Sequence, residues 1–160
     1  MIFEEIDGFA SALPPHRGIM GLDLGTKTIG VAVSDRLLSS ATPLETVKRK
    51  KFTLDAARLA DLAQGREIAG VILGLPRNMD GSEGPRAQST RAFARNLSRL
   101  PAFVDTPISF WDERLSTVAA ERALLEADTT RKRRAEVIDA VAAGYILQGA
   151  LDRLRYMREG

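Results

Sequence analysis

No cysteine occurs in these 160 residues. Disulfides, thiol catalysis and thiolate metal centres are therefore excluded, and the composition suits a reducing cytoplasm. A single histidine, His16, speaks against a zinc site built on nitrogen ligands. Any metal bound here would have to be hard and held by oxygen. No apolar stretch approaches the roughly 20 residues that a membrane span requires, so no membrane partner is expected. Residues 1–18 lack the basic start and apolar run of a signal peptide. They carry Glu4, Glu5 and Asp7, which argue against a transit peptide. This stretch is expected to be a loosely ordered N-terminal extension, with His16 at its surface.

The chain has the length of one domain with a core of its own, placed at residues 19–155. Its 44% hydrophobic and 28% charged residues are those of a globular protein. The net charge is only +2, so the placement of charge says more than its sum. Eight of the 23 basic residues fall in two unbroken runs, Lys48-Arg49-Lys50-Lys51 and Arg131-Lys132-Arg133-Arg134. Clustered positive charge suits a polyanion, although two solvated turns would have the same composition.

Apolar runs at Ile19–Leu24 and Thr28–Ser34 flank the turn Gly25-Thr26-Lys27 and read as a hairpin. A third strand is expected over Thr42–Val47, then a helix from a Thr53 cap to Gln64, ended by Gly65. Ile68–Leu75 is almost continuously apolar, as a strand buried on both faces should be. Pro76–Gly84 is a polar loop, and Pro85 opens a helix at the position where its missing N–H costs least. Its Arg91, Arg95 and Arg99 form a basic ridge, read first as a solvated face. A strand over Ile108–Trp111 leads into Asp112-Glu113-Arg114. A helix is expected from Ser116 or Thr117 to Ala127, and a last one from Ala135 to Arg155. Strands first in a meander, then alternating with helices, predict an α/β fold: a mixed five-stranded sheet with helices on both faces.

Three acids stand where structure alone would prefer something else. Asp23 interrupts an apolar strand, Glu113 leaves the end of another, and Asp139 shares a helical stripe with Ala142, Ala143, Ile146 and Ala150. A carboxylate among small apolar residues needs a cation or hydrogen bonds. Three converging carboxylates resist joint ionisation unless a cation lies between them. An all-oxygen ligand set favours Mg²⁺ or Mn²⁺, ions that promote phosphodiester cleavage. With the basic runs, the pattern suggests a metal-dependent nuclease, with Asp23, Glu113 and Asp139 as both metal ligands and catalytic residues. A solvated loop acid at Glu113 and a turn-capping Asp23 are the plainer alternatives. Lys27 beside Asp23, and Arg114 beside Glu113, are candidate phosphate contacts; Asp35 reads as a turn residue.

Gly21-Leu22-Asp23-Leu24-Gly25-Thr26-Lys27 followed by Ile29-Gly30-Val31-Ala32-Val33-Ser34-Asp35 resembles the opening motif of the YqgF (RuvX-like) family. Gly74-Leu75-Pro76 with Asn78–Gly84 is similar to its central loop, Asp112–Thr117 to its third motif, and Val137-Ile138-Asp139 with Ala142-Ala143 and Ile146-Leu147-Gln148 to its last. The resemblance spans residues 19–154. It implies an RNase H-like fold and a hydrolase whose acidic site is Asp23, Glu113 and Asp139. Members of that family resemble Holliday junction resolvases and are assigned to nuclease action on pre-16S rRNA, which implies structured RNA, branched DNA and a ribosome precursor as partners. Thr28 stands where the family usually has Arg, and Arg77 where Leu is common; the first removes one phosphate contact and the second adds charge beside the loop. Asp23-Leu24-Gly25-Thr26 also resembles the phosphate loop of actin-like ATPases, but those need two such domains and a second phosphate loop. A non-catalytic ribosome-assembly binder is the third reading.

Overall fold

The computed structural model describes residues 1–115 and 131–159, with side chains in the second stretch from Ile138 onward. In chain order, the elements are α1 (Ile6–Ala12), β1 (Ile19–Leu24), β2 (Thr28–Ser34), β3 (Ala41–Lys48), α2 (Phe52–Gly65), β4 (Gly70–Leu75), α3 (Pro85–Ser98), β5 (Ile108–Asp112), a 3₁₀ turn (Glu113–Leu115) and α4 (Arg131–Glu159). The expected helix over 116–127 lies outside the described residues.

The strands form one sheet in the order β3-β2-β1-β4-β5. β1 runs antiparallel to β2, β2 antiparallel to β3, and β1, β4 and β5 are parallel. β1 and β4 lie in the middle and are buried at every residue, which is why their sequences are apolar without alternation. β3 is an edge strand, partly exposed along its length, and so tolerates Pro43 within it. The mixed sheet expected from the sequence is present.

Helices cover both faces, as expected. On one side α2 and α3 set Leu59, Leu62, Phe93 and Leu97 against Leu22, Val31, Val71 and Leu73. On the other, α1 and α4 set Phe9, Ile146, Leu147 and Leu151 against Ile19, Ala32 and Ile72. Element ends differ from expectation by local causes. The cap position of α2 is Lys51, not Thr53, because the buried Asp55 reaches back to the Lys50 N–H at 3.0 Å. α4 is described from Arg131, so the second basic run lies in the helix and not in a loop before it.

The expectation for residues 1–18 needs correction. Ile2 bridges Ile108 on the outer edge of β5. The Phe3 N–H donates to the Ile108 carbonyl at 2.8 Å, and the Ile108 N–H donates to the Met1 carbonyl at 2.8 Å. Phe9 of α1 is fully buried. This segment therefore covers a sheet edge and completes one core, which its acidic composition conceals. His16 is exposed, as expected.

Candidate active site

The three acids come from β1, from the turn after β5, and from α4. Asp23 pairs with Gly30 across the β1–β2 ladder, and opposed residues of such a ladder project to one face. That face is the one α4 covers. A Cβ added to Gly30 would lie 1.8 Å from the Asp139 carbonyl oxygen, so only glycine lets the helix backbone rest on the strand here. The same close approach sets Asp139 above the residue that faces Asp23. Ala142, Ala143, Ile146 and Ala150 continue the contact and are all buried. The stripe read from the sequence is the packed face of α4.

Glu113 reaches this face from the other side. Trp111 pairs with Gly74 and Asp112 with Leu75, so the turn at Glu113 follows directly beyond the C-terminal end of β4. A Cβ on Gly74 would meet Glu113 Oε1 at 2.7 Å and Ile146 Cδ1 at 2.5 Å. The Glu113 side chain therefore lies across a glycine of β4, as Asp139 lies across a glycine of β2. Gly74 follows Leu73, whose partner Leu22 precedes Asp23. The acids thus occupy neighbouring positions across one end of the sheet. They are not drawn together into one metal-holding group: among the described residues, no three acidic or histidine side chains form such a set.

Asp23 is 4% exposed, too dry for a carboxylate without partners. Asp139 is half-buried, and its Oδ2 accepts a hydrogen bond from the Thr28 hydroxyl. In the sequence, Thr28 reads only as a lost phosphate contact. Its place at the start of β2, two residues before Gly30, was the available signal that it could reach the helix above.

Basic residues flank the acids on both sides, in different states. On the β3 side, Lys48 pairs with Thr28 in the ladder, and the Arg49 N–H donates to the Lys27 carbonyl at 2.8 Å. Lys27, Lys48, Lys50 and Lys51 are all exposed there. Arg49 is half-buried instead: its Nη1 donates to the Gly25 carbonyl at 2.6 Å, and its guanidinium stands 5.9 Å from the centre of the Phe93 ring. On the β5 side, Arg114 chelates Asp112, with Nη2 at 2.7 Å from Oδ2 and Nε at 3.1 Å from Oδ1. Arg77 adds an Nη1 contact of 3.6 Å to Asp112 and an Nε contact of 3.3 Å to Glu83. The Arg114 hydrogen bond holds the Asp112 carboxyl below the ordinary carboxylate range, against the opposing effect of burial. Arg91 leaves the expected ridge of α3: it chelates Glu83 at 2.6 and 2.8 Å, meets Glu4 at 2.7 Å, and lies over the Phe110 ring. Arg95 and Arg99 remain exposed. For Arg131, Lys132, Arg133 and Arg134, only the helical backbone is described.

Comparison with known proteins bears on the family and the fold. Residues 17–153 match the family model described as RuvX, Holliday junction resolvase. A protein of Jannaschia sp. (strain CCS1), provisionally named a pre-16S rRNA nuclease, is 73% identical over 158 residues, covering 99% of both chains. One of Roseobacter denitrificans, under the same name, is 73% identical over 99% of this chain and 96% of its own. Among solved structures, Thermus thermophilus RuvC in complex with a Holliday junction substrate superposes with a TM-score of 0.54 at 16% identity, covering 88% of this chain and 97% of that one. That last likeness bears on the fold, which is RNase H-like.

Proposed function

The chain belongs to the RuvX family, and we propose that it is a divalent-metal-dependent nuclease that hydrolyses phosphodiester bonds in structured RNA, at the 5′ end of a 16S rRNA precursor in the cytoplasm. The observation that carries this reading is the placement of Asp23, Glu113 and Asp139 on one face of the sheet end, around Gly30 and Gly74. The name shared by relatives at 73% identity favours the RNA substrate over branched DNA.

The donor set is all carboxylate oxygen, which fits Mg²⁺ or Mn²⁺; bound there, such an ion would neutralise charge on the phosphate and lower the pKa of water. Asp23, Glu113 and Asp139 would hold it. Drawing three carboxylates to one point works against their mutual repulsion, so the site gains its final form only with its ligand. Thr28, through its hydroxyl, orients Asp139. The exposed Lys27, Lys48, Lys50 and Lys51 line the approach from β3 and suit the phosphates of the substrate strand. Arg131, Lys132, Arg133 and Arg134, in the helical stretch that opens α4, would add phosphate contacts. Arg49, Arg77 and Arg114 already hold protein acceptors, so their contacts with nucleic acid would use the donors left over.

The test is cleavage of a 16S precursor RNA and of a four-way DNA junction, each with Mg²⁺ or Mn²⁺, by the natural protein and by Asp139→Asn. Metal-dependent cleavage of the RNA, abolished by the substitution, is the expected result. Asp139→Asn also removes one repelling charge, so the metal-free protein should melt higher and respond less to Mg²⁺. Cleavage retained in the variant overturns the catalytic assignment, and cleavage of the junction alone overturns the substrate.

A further inference from the structure

Asp112 precedes Glu113 and is itself no part of the acidic trio, yet several parts of the chain converge on it. Its Oδ1 accepts the Arg114 backbone N–H at 3.0 Å, closing a turn with Glu113 as the enclosed residue. The same carboxylate takes both Nε and Nη2 of the Arg114 guanidinium and one contact from Arg77. Through those arginines it reaches the polar loop between β4 and α3 at three places. Arg77 lies in that loop, Arg114 Nη1 donates to the Met79 carbonyl at 3.3 Å, and Arg77 Nε stands 3.3 Å from Glu83. Gly81, which has a φ of 89°, lies against the Arg114 guanidinium.

We propose, on the premise that Glu113 belongs to a nuclease site, that Asp112 is a positioning residue that fixes the backbone of Glu113 and latches the 76–84 loop to it. A carboxylate that only formed ion pairs would contribute little, since exposed pairs are screened by water. Asp112 differs in being 14% exposed at its side chain and in binding the backbone N–H just past the catalytic glutamate. The bond to that N–H restrains the turn, and Gly74 leaves the Glu113 side chain a bed without slack. A shift of about 1 Å in a reacting group costs on the order of 10²-fold in rate. The two functions of the carboxylate are separable: the N–H bond needs an oxygen acceptor, whereas the latch needs a negative charge.

Asp112→Asn keeps the acceptor and loses the charge; Asp112→Ala loses both. With a precursor RNA substrate, Asp112→Ala should lower kcat about 100-fold, while Asp112→Asn should keep kcat within a few-fold and raise KM as the loop loosens. Arg77→Met should raise KM in the same way and add little to Asp112→Asn, because both remove one shared contact. The Mg²⁺-induced rise in melting temperature supplies a readout that needs no turnover: it should shrink in Asp112→Ala and persist in Asp112→Asn. An alanine variant with natural kcat and natural metal response overturns the proposal, as does an asparagine variant equal to it in kcat. If the natural protein cleaves nothing, the nuclease reading fails and the melting shifts alone decide the role of Asp112.

Discussion

The two faces of the sheet are packed by different means. Under α2 and α3, large side chains interdigitate: Leu59, Phe93 and Leu97 of the helices meet Leu22, Val31 and Leu73 of the strands. Under α4, glycines and alanines face each other, and helix backbone touches strand backbone at Gly30. The first face contributes most of the apolar burial and has no acid of the trio. The second is thinner, and all three acids face it. A close-packed face with small residues brings a helix near enough for Asp139 to stand beside the residues at the end of β1. Leucines at those positions would bury more surface and hold the carboxylate away. One face therefore supplies most of the core, and the other carries the three acids.

The largest combined effect, on stability and cleavage together, should come from filling the glycine floor. Gly30→Ala puts a methyl group into the Asp139 carbonyl, and neither backbone can yield cheaply. A stability loss of about 3 kcal/mol is expected, at the upper end of overpacking costs, together with loss of cleavage. Chemical denaturation and a cleavage assay measure both; a variant of natural stability would remove the basis of the comparison. On the opposite face, Leu59→Ala leaves a cavity under α2 and should cost roughly 2–5 kcal/mol. Its kcat below the melting transition should be unchanged. Loss of kcat there would mean that the faces are not separate in their work.

At the charged rim, replacing Lys48, Lys50 and Lys51 by serine should flatten the slope of log affinity against log salt. Three phosphate contacts correspond to a change of about 2 to 3 in that slope. Binding titrations at several salt concentrations test this, with kcat at saturation unchanged; an unaltered slope would make this surface solvated and nothing more. The smallest effect should come from Asp35, at the far end of β2. Burial raises its pKa, but the Ser39 hydroxyl and the Ser39 and Ser40 N–H groups outweigh it and bring the value from 3.8 to about 2. A folded-state pKa below the unfolded one gives stability that is present above pH 3.8 and lost as pH falls towards 2. Asp35→Asn should therefore lower stability slightly near neutrality and remove that part of the acid dependence, as melts between pH 2 and pH 6 would record. An acid limb of unchanged shape would contradict the hydrogen bonds at that turn.

Much of the fold was legible because its signals are local. The unbroken apolar runs of β1 and β4 marked central strands, Pro85 marked the start of α3, and the 3.6-residue stripe through Asp139 marked the buried side of α4. The acids stood out because a carboxylate in an apolar run is costly without a reason. The N-terminal segment was not legible, since three acids in ten residues outweigh two phenylalanines, and burial of Phe9 depends on a partner surface formed by other elements.

The sequence by itself determined the order of the elements from β1 to β5, the two-sided burial of the middle strands, and which acids needed an explanation. Those properties follow from periodicity and from the cost of burying charge, both of which act within a few residues. Only the tertiary structure decided that Thr28 serves Asp139, that Gly30 and Gly74 make room for the acids, and that Arg49, Arg77 and Arg114 hold protein acceptors while neighbouring lysines face water. A basic residue reads the same in a sequence whether solvent or a carboxylate surrounds it. Residues 28 and 139 are 111 positions apart, and only the crossing of α4 over β2 brings them within a hydrogen bond.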